Sequence, residues 1–142
     1  MCRAQLVSGS TKKSRKKKDR RPRELSEDEA FDIALNDHPQ YRRLIERDAL
    51  PEEMVDEHGN VMSPRLHLLM HQIVERQLAS DRPRGVVEIE KQLLALGVSR
   101  HDVRHIIGQA ASEELWNMTH EKRLFDEGRY MRKLRQLVAE NE

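Results

Sequence analysis

The amino-acid sequence predicts an all-α fold, a small bundle of about five to six helices behind a disordered basic N-terminal arm. Three observations carry that reading. Apolar residues recur at spacings of three and four, which is the helical period. Helix-start signatures stand ahead of several of those stripes. No stretch alternates apolar and polar residues at period two with β-branched enrichment, and no hairpin dipeptide joins such stretches. The chain has 142 residues, the size of one domain, which we place at residues 25–142. Aromatic residues make up only 4%, so the core is expected to be Leu, Ile, Val, Met and Ala.

The first helix starts at Ser26-Glu27-Asp28-Glu29, a Ser that can cap and a Glu three residues on. Ala30, Phe31, Ile33, Ala34 and Leu35 supply its apolar stripe, and Asn36-Asp37-His38-Pro39 breaks it, because Pro39 disfavours helix at His38. A second short helix carries Tyr41, Leu44 and Ile45, and residues 51–61 read as a loop. Ser63-Pro64 opens the best-marked helix, since proline suits a first-turn position whose N–H would be unpaired anyway. Its stripe is Leu66, Leu69, Met70, Ile73 and Val74, and Asp81, Pro83 and Gly85 end it. Val86, Ile89, Leu93 and Leu96 mark the next helix, with Gly97 as a left-handed cap. Ser99 and Asp102 start another that runs to about His120, and a last one covers roughly 128–140.

The small net charge of +1 hides an asymmetry. Residues 1–24 hold ten Lys and Arg against two acids, whereas the other 118 hold 16 basic and 23 acidic residues. A basic arm thus precedes an acidic body. With Leu6 and Val7 as its sizeable aliphatic residues, the arm buries too little apolar surface to offset its ordering entropy. We therefore read residues 1–24 as disordered. No apolar run approaches the ~18 residues that cross a bilayer, no signal-peptide pattern opens the chain, and Cys2 alone forms no internal disulfide. A soluble, cytoplasmic protein is expected.

Four of the seven histidines form two pairs, His67 with His71 and His101 with His105, each spaced i, i+4 on a predicted helix. That spacing stacks two rings on one face, with Cβ atoms roughly 5–6 Å apart. Two such rings can share a metal ion, imidazole being the commonest metal ligand. The rows read H-x3-H-x3-E, ending at Glu75, and H-x3-H-x3-Q-x3-E, ending at Glu113 through Gln109. On a helical wheel His67, His71 and Glu75 lie roughly 90°, 130° and 170° from the centre of the apolar stripe, bordering the core without filling it. On the second helix Val103, Ile106, Ile107 and Ala110 face one way. His101, His105, Gly108, Gln109, Ser112 and Trp116 face the other, with Glu113 at the border. Gly108 and Ser112 are small, so another helix is expected to approach that side closely. The plainer alternative is that such histidines hydrogen-bond a carbonyl or carboxylate and hold structure only.

Other chemistries find little support. His101-Asp102-Val103-Arg104-His105 has Asp where the H-E-x-x-H zinc protease motif needs Glu, and Asp102 is explained as a capping acid. There is no nucleophile motif, no glycine-rich phosphate loop, no C-x-x-C pair and no identifiable small-molecule substrate. No reaction follows from these motifs.

Residues 62–78, the Asp81-Arg82-Pro83-Arg84-Gly85 turn and residues 99–116 together resemble an uncharacterised bacterial family, domain of unknown function eighteen forty-one. The shared pattern is Pro-x-Leu-His-x3-His, a Pro-Gly turn, His-x3-His, and Glu before Leu-Trp. His38-Pro39-Gln40-Tyr41 is a further shared feature, so the resemblance covers about residues 36–138 and leaves the basic arm outside it. It implies no established reaction. Its motif falls on His67, His71, Glu75, His101, His105 and Glu113. The family carries an acid where this chain has Gln109, so the resemblance implies a histidine-rich mononuclear site over a carboxylate-rich di-iron one. Zinc and iron are the candidate metals.

The arm supports a second function class. Lys12, Lys13, Arg15, Lys16, Lys17, Lys18, Arg20, Arg21 and Arg23 place nine cations within twelve residues. Such a run binds phosphate backbones through counterion release, without reading sequence. No aromatic residue is interleaved to stack on bases, and no apolar face suits a membrane surface. The arm is expected either to stay solvated or to associate weakly with RNA or the ribosome, the paired histidines then being structural.

Overall fold

A computed structural model describes residues 21–56 and 58–142. Among these residues the fold is all-α, with six helices: α1 (Glu27–Asp37), α2 (Pro39–Glu46), α3 (Pro64–Ser80), α4 (Val86–Ala95), α5 (Arg100–Glu121) and α6 (Glu127–Glu140). The expected caps form. The Ser26, Ser63 and Ser99 hydroxyl oxygens accept from the backbone N–H of Glu29, Leu66 and Asp102. Asp126 does the same for Arg129 at the start of α6. Each satisfies one of the donors that a helix start leaves orphaned.

The segment expected to be a loop contains one small correction. Met54–Val55 (β1) and Val61–Met62 (β2) pair as a minimal antiparallel hairpin. Asp56 shapes its turn, one carboxylate oxygen accepting from the N–H groups of His58 and Asn60 at 2.9 and 2.8 Å. Two-residue strands are too short to show a period, so the sequence holds no signal for them.

Asp81 joins α3 to α4. It ends α3 in the left-handed conformation (φ 50°), and its carboxylate accepts from the N–H groups of Gly85 and Val87. Gly85 has φ 102°, and a Cβ there would meet the Met131 methyl at 3.2 Å, so both backbone and packing favour glycine.

Two apolar clusters form around the long helices. The larger joins α3, α4, α5 and α6 through Val74, Val86, Ile89, Leu93, Val103, Ile107, Tyr130 and Leu134. The smaller joins α1, α2 and the start of α3 through Ala34, Leu35, Tyr41 and Leu68. α3 belongs to both, with α1 and α5 packed against it.

That central position overturns the expected orientation of α3. Of its apolar stripe only Val74 is buried, while Leu66 and Leu69 are 63% and 46% exposed. The buried line is Pro64, Leu68, His71, Val74 and Glu75. His71 and Glu75 were expected to border the core, yet they sit 3% and 6% exposed inside it. α5 shows the same effect, because Arg104 and Gly108 are buried along with Val103 and Ile107. The expected close helix approach is not what requires Gly108, since a Cβ there would stand 3.8 Å from a Val74 methyl, ordinary contact.

Of the basic arm, residues 1–20, with Lys12, Lys13, Arg15, Lys16, Lys17, Lys18, Arg20 and the disorder expected of them, lie outside the described residues. Arg23 donates its backbone N–H to the Ala79 carbonyl at 2.9 Å and pairs with Glu29. No helix among the described residues is long and apolar enough to cross a membrane.

Candidate metal centre

Five histidine rings gather where α1, α3 and α5 meet. α3 supplies His67 and His71, ring centroids 4.7 Å apart, and α5 supplies His101 and His105, 4.3 Å apart. The two pairs face each other, with His67 and His71 lying 5.0 and 5.1 Å from His105. His38 is the fifth, in the break between α1 and α2. It stands 4.9 Å from His67 and 4.4 Å from His71. One nitrogen each from His38, His67, His71 and His105 falls within a group whose members are all within 4.8 Å of one another.

His38 is positioned by its surroundings. Its Nδ1 lies 2.9 Å from the Ala34 carbonyl, a contact only an N–H can satisfy. In the neutral ring this leaves Nε2 bare and turned toward the cluster. Tyr41 stacks against the other side of the ring at 5.2 Å and 3°. The sequence marked His38 as a helix break and as part of the resemblance, not as a ligand. The one further signal, a histidine held just before Pro39, says nothing about where its ring points.

The remaining sequence-predicted residues part ways. His101 is close to the group, its centroid 5.5 Å from His38 and 5.8 Å from His71, but it is exposed and outside the four-nitrogen set. Glu75 turns from the rings to Arg104, whose Nε donates to it at 2.9 Å, and has Arg100 at 3.5 Å. Arg104 also donates to Glu90, and Arg100 donates to Asp37 at 2.9 Å. This ion network ties α1, α3, α4 and α5 together around the histidines. Glu113 is half exposed and pairs with Lys133 of α6 at 3.5 Å, away from the rings.

The cluster's hydrogen bonding does not close. His67 Nε2 lies 3.0 Å from His38 Nε2 and 3.2 Å from His71 Nε2. A ring nitrogen carries either one proton or one lone pair in its plane, never both. His67 Nε2 can therefore donate to one neighbour or accept from one, and at most one of the two contacts is a full hydrogen bond. His71 Nδ1 is buried and has no hydrogen-bond partner among the described residues. Protonation gives no relief. Burial first, then repulsion from the neighbouring imidazoles, lowers His67 to about 4 and His71 to about 2. Burial likewise lowers His38, against the Ala34 carbonyl. His38, His67 and His71 are thus held neutral, the form in which imidazole binds metals.

On one side the group opens into a cleft of about 470 Å³, which His67, His71 and His105 line together with Asp56, Asn60, Gln109 and Ser112. The family described as Domain of unknown function (DUF1841) matches residues 3–136. The chain belongs to this family. The DUF1841 match begins at residue 3, well before residue 36, so it takes in the basic arm that the resemblance had left outside. No curated protein and no solved structure matches the chain.

Proposed function

We propose that this protein binds one transition metal ion through His38, His67, His71 and His105. The observation that carries the reading is the unclosed nitrogen chain His38–His67–His71, buried at both ends and half-buried at His67, uncharged and too crowded for protons to satisfy. A cation accepts every lone pair at once. With Zn–N bonds of ~2.0–2.1 Å, two ligands of a tetrahedral ion stand about 3.3–3.4 Å apart. The contacts of 3.0 and 3.2 Å lie within a few tenths of that. Imidazole suits both zinc and iron. Glu75 and Glu113 are not part of this ligand set. Glu75 is taken up by Arg100 and Arg104 instead, and His101 stands beside the site. Elemental analysis of protein purified without a histidine tag tests the reading. The expected result is about one metal per chain, lost in the His67→Ala, His105→Ala double variant. Protein that stays metal-free after expression with zinc and iron supplied overturns it.

A second reading concerns the arm and rests on its nine cations between Lys12 and Arg23. Weak, salt-sensitive association with RNA or the ribosome is the function such a run supports. Co-sedimentation with ribosomes, abolished by deleting residues 1–24, is its test.

A further inference from the structure

We propose that the metal centre takes a small anion from the adjacent cleft as an additional ligand, an inference that rests on the metal-binding reading above. Three features point to a ligand-accepting site. Three of the four ligating rings line the cleft, while His38, only 4% exposed, does not. A metal among them is therefore reached from the cleft side.

The second feature is charge. Four neutral imidazoles bring no charge against a divalent ion, and Glu75 and Asp37 are already paired with arginine, which leaves Asp56 as the carboxylate that lines the cleft. Glu75 is engaged by Arg104 and Arg100. Asp56, on the cleft wall, is fixed in its turn by the His58 and Asn60 N–H groups and the Asn60 amide at 3.4 Å, and its single charge offsets only half of a divalent ion's. A half-buried site of this charge favours an anion. Gln109 and Ser112 offer it hydrogen-bond donors.

The third feature is room. Gly108 lines the cleft in mid-helix, and packing against Val74 would accept an alanine there. A mid-helix glycine disfavours the helix, and its absent side chain leaves more room along that wall of the cleft.

Cobalt(II)-loaded full-length protein titrated with sodium azide tests the proposal, because cobalt's visible bands report its ligands. The expected result is a saturable change in those bands. Ser112→Leu and Gly108→Ala, which narrow the cleft without touching a ligating ring, should take up cobalt as before and bind azide about tenfold more weakly or worse. Stoichiometric cobalt whose spectrum ignores azide overturns the proposal and leaves metal binding intact. Failure to take up cobalt removes the metal-binding reading and this inference with it.

Discussion

Two polar clusters, each with a buried heart, share the His71–Glu75 turn of α3, and they are built on opposite principles. On one side, the Glu75 carboxylate meets the Arg104 guanidinium, which also reaches Glu90, while Arg100 carries the chain of pairs to Asp37. Every charge there has an opposite charge. On the other side, rings of one kind crowd together, with nitrogens 3.0 and 3.2 Å apart and His71 Nδ1 unpartnered. Burying polar groups is tolerable when they satisfy one another and costly when they do not. The ionic cluster is complete as it stands, whereas the imidazole cluster leaves nitrogens without full partners, and the proposed ion would answer those that face one another. The first reads as scaffold and the second as site.

The sharpest way to break that contrast is to remove a guanidinium. Arg104→Met leaves Glu90 unpaired and Glu75 with only Arg100 at 3.5 Å. We expect a loss of about 3–5 kcal/mol in urea unfolding, as for other broken buried pairs. A loss near zero would show that the network is not holding the helices. On the imidazole side the largest effect should come from addition. Zinc at a hundredfold excess over its dissociation constant should stabilise the protein by about 2.7 kcal/mol, reversed by a chelator. No shift in the thermal midpoint would count against the site.

Acid should separate the clusters next. The unfolded chain takes up protons on its imidazoles near 6.5, while folded His67 and His71 refuse them until about 4 and about 2. In metal-free protein the stability is therefore fully present above about 6.5 and falls as the pH drops below it. Urea midpoints at pH 7.5 and pH 5, both above ordinary carboxylate titration, check this. Equal midpoints would mean that the rings are not held neutral by burial.

Two substitutions should have small effects of informative sign. Gly108→Ala should stabilise by about 1 kcal/mol through helix propensity, which calorimetry can resolve. A large loss would mean that glycine is needed for packing after all. His71→Leu replaces an unsatisfied polar ring by an apolar side chain, and we expect metal-free stability to change by less than about 1 kcal/mol while metal uptake disappears. The similarly buried Arg104 tolerates no such exchange. If both variants unfolded the protein alike, the division into scaffold and site would fail.

Much of the helical layout was legible in the sequence because helix starts are local. Ser26, Ser63 and Ser99 announce themselves by spacing alone. The i, i+4 histidine pairs were equally local, and helical geometry was enough to stack each pair. The face that α3 buries was not legible. Leu66 and Leu69 look like core, and His71 and Glu75 like border, until α1 and α5 cover both flanks and give the polar residues partners. Gln77 likewise accepts a hydrogen bond from Tyr130 of α6 at 2.6 Å. Glu113 was counted with the histidines because it follows them along the chain. Its ion pair with Lys133 depends on where α6 lies.

By itself, the sequence determined an all-helical body, the order of its helices and two pairs of stacked imidazoles, since hydrogen-bond caps and helical periodicity act over a few residues. Only the tertiary structure decided that the pairs face each other, that His38 joins them and that Glu75 belongs to arginine. Those outcomes depend on which helix packs on which. Contacts between residues 29 positions or more apart, such as His38 with His67 and Glu75 with Arg104, leave no trace in local spacing.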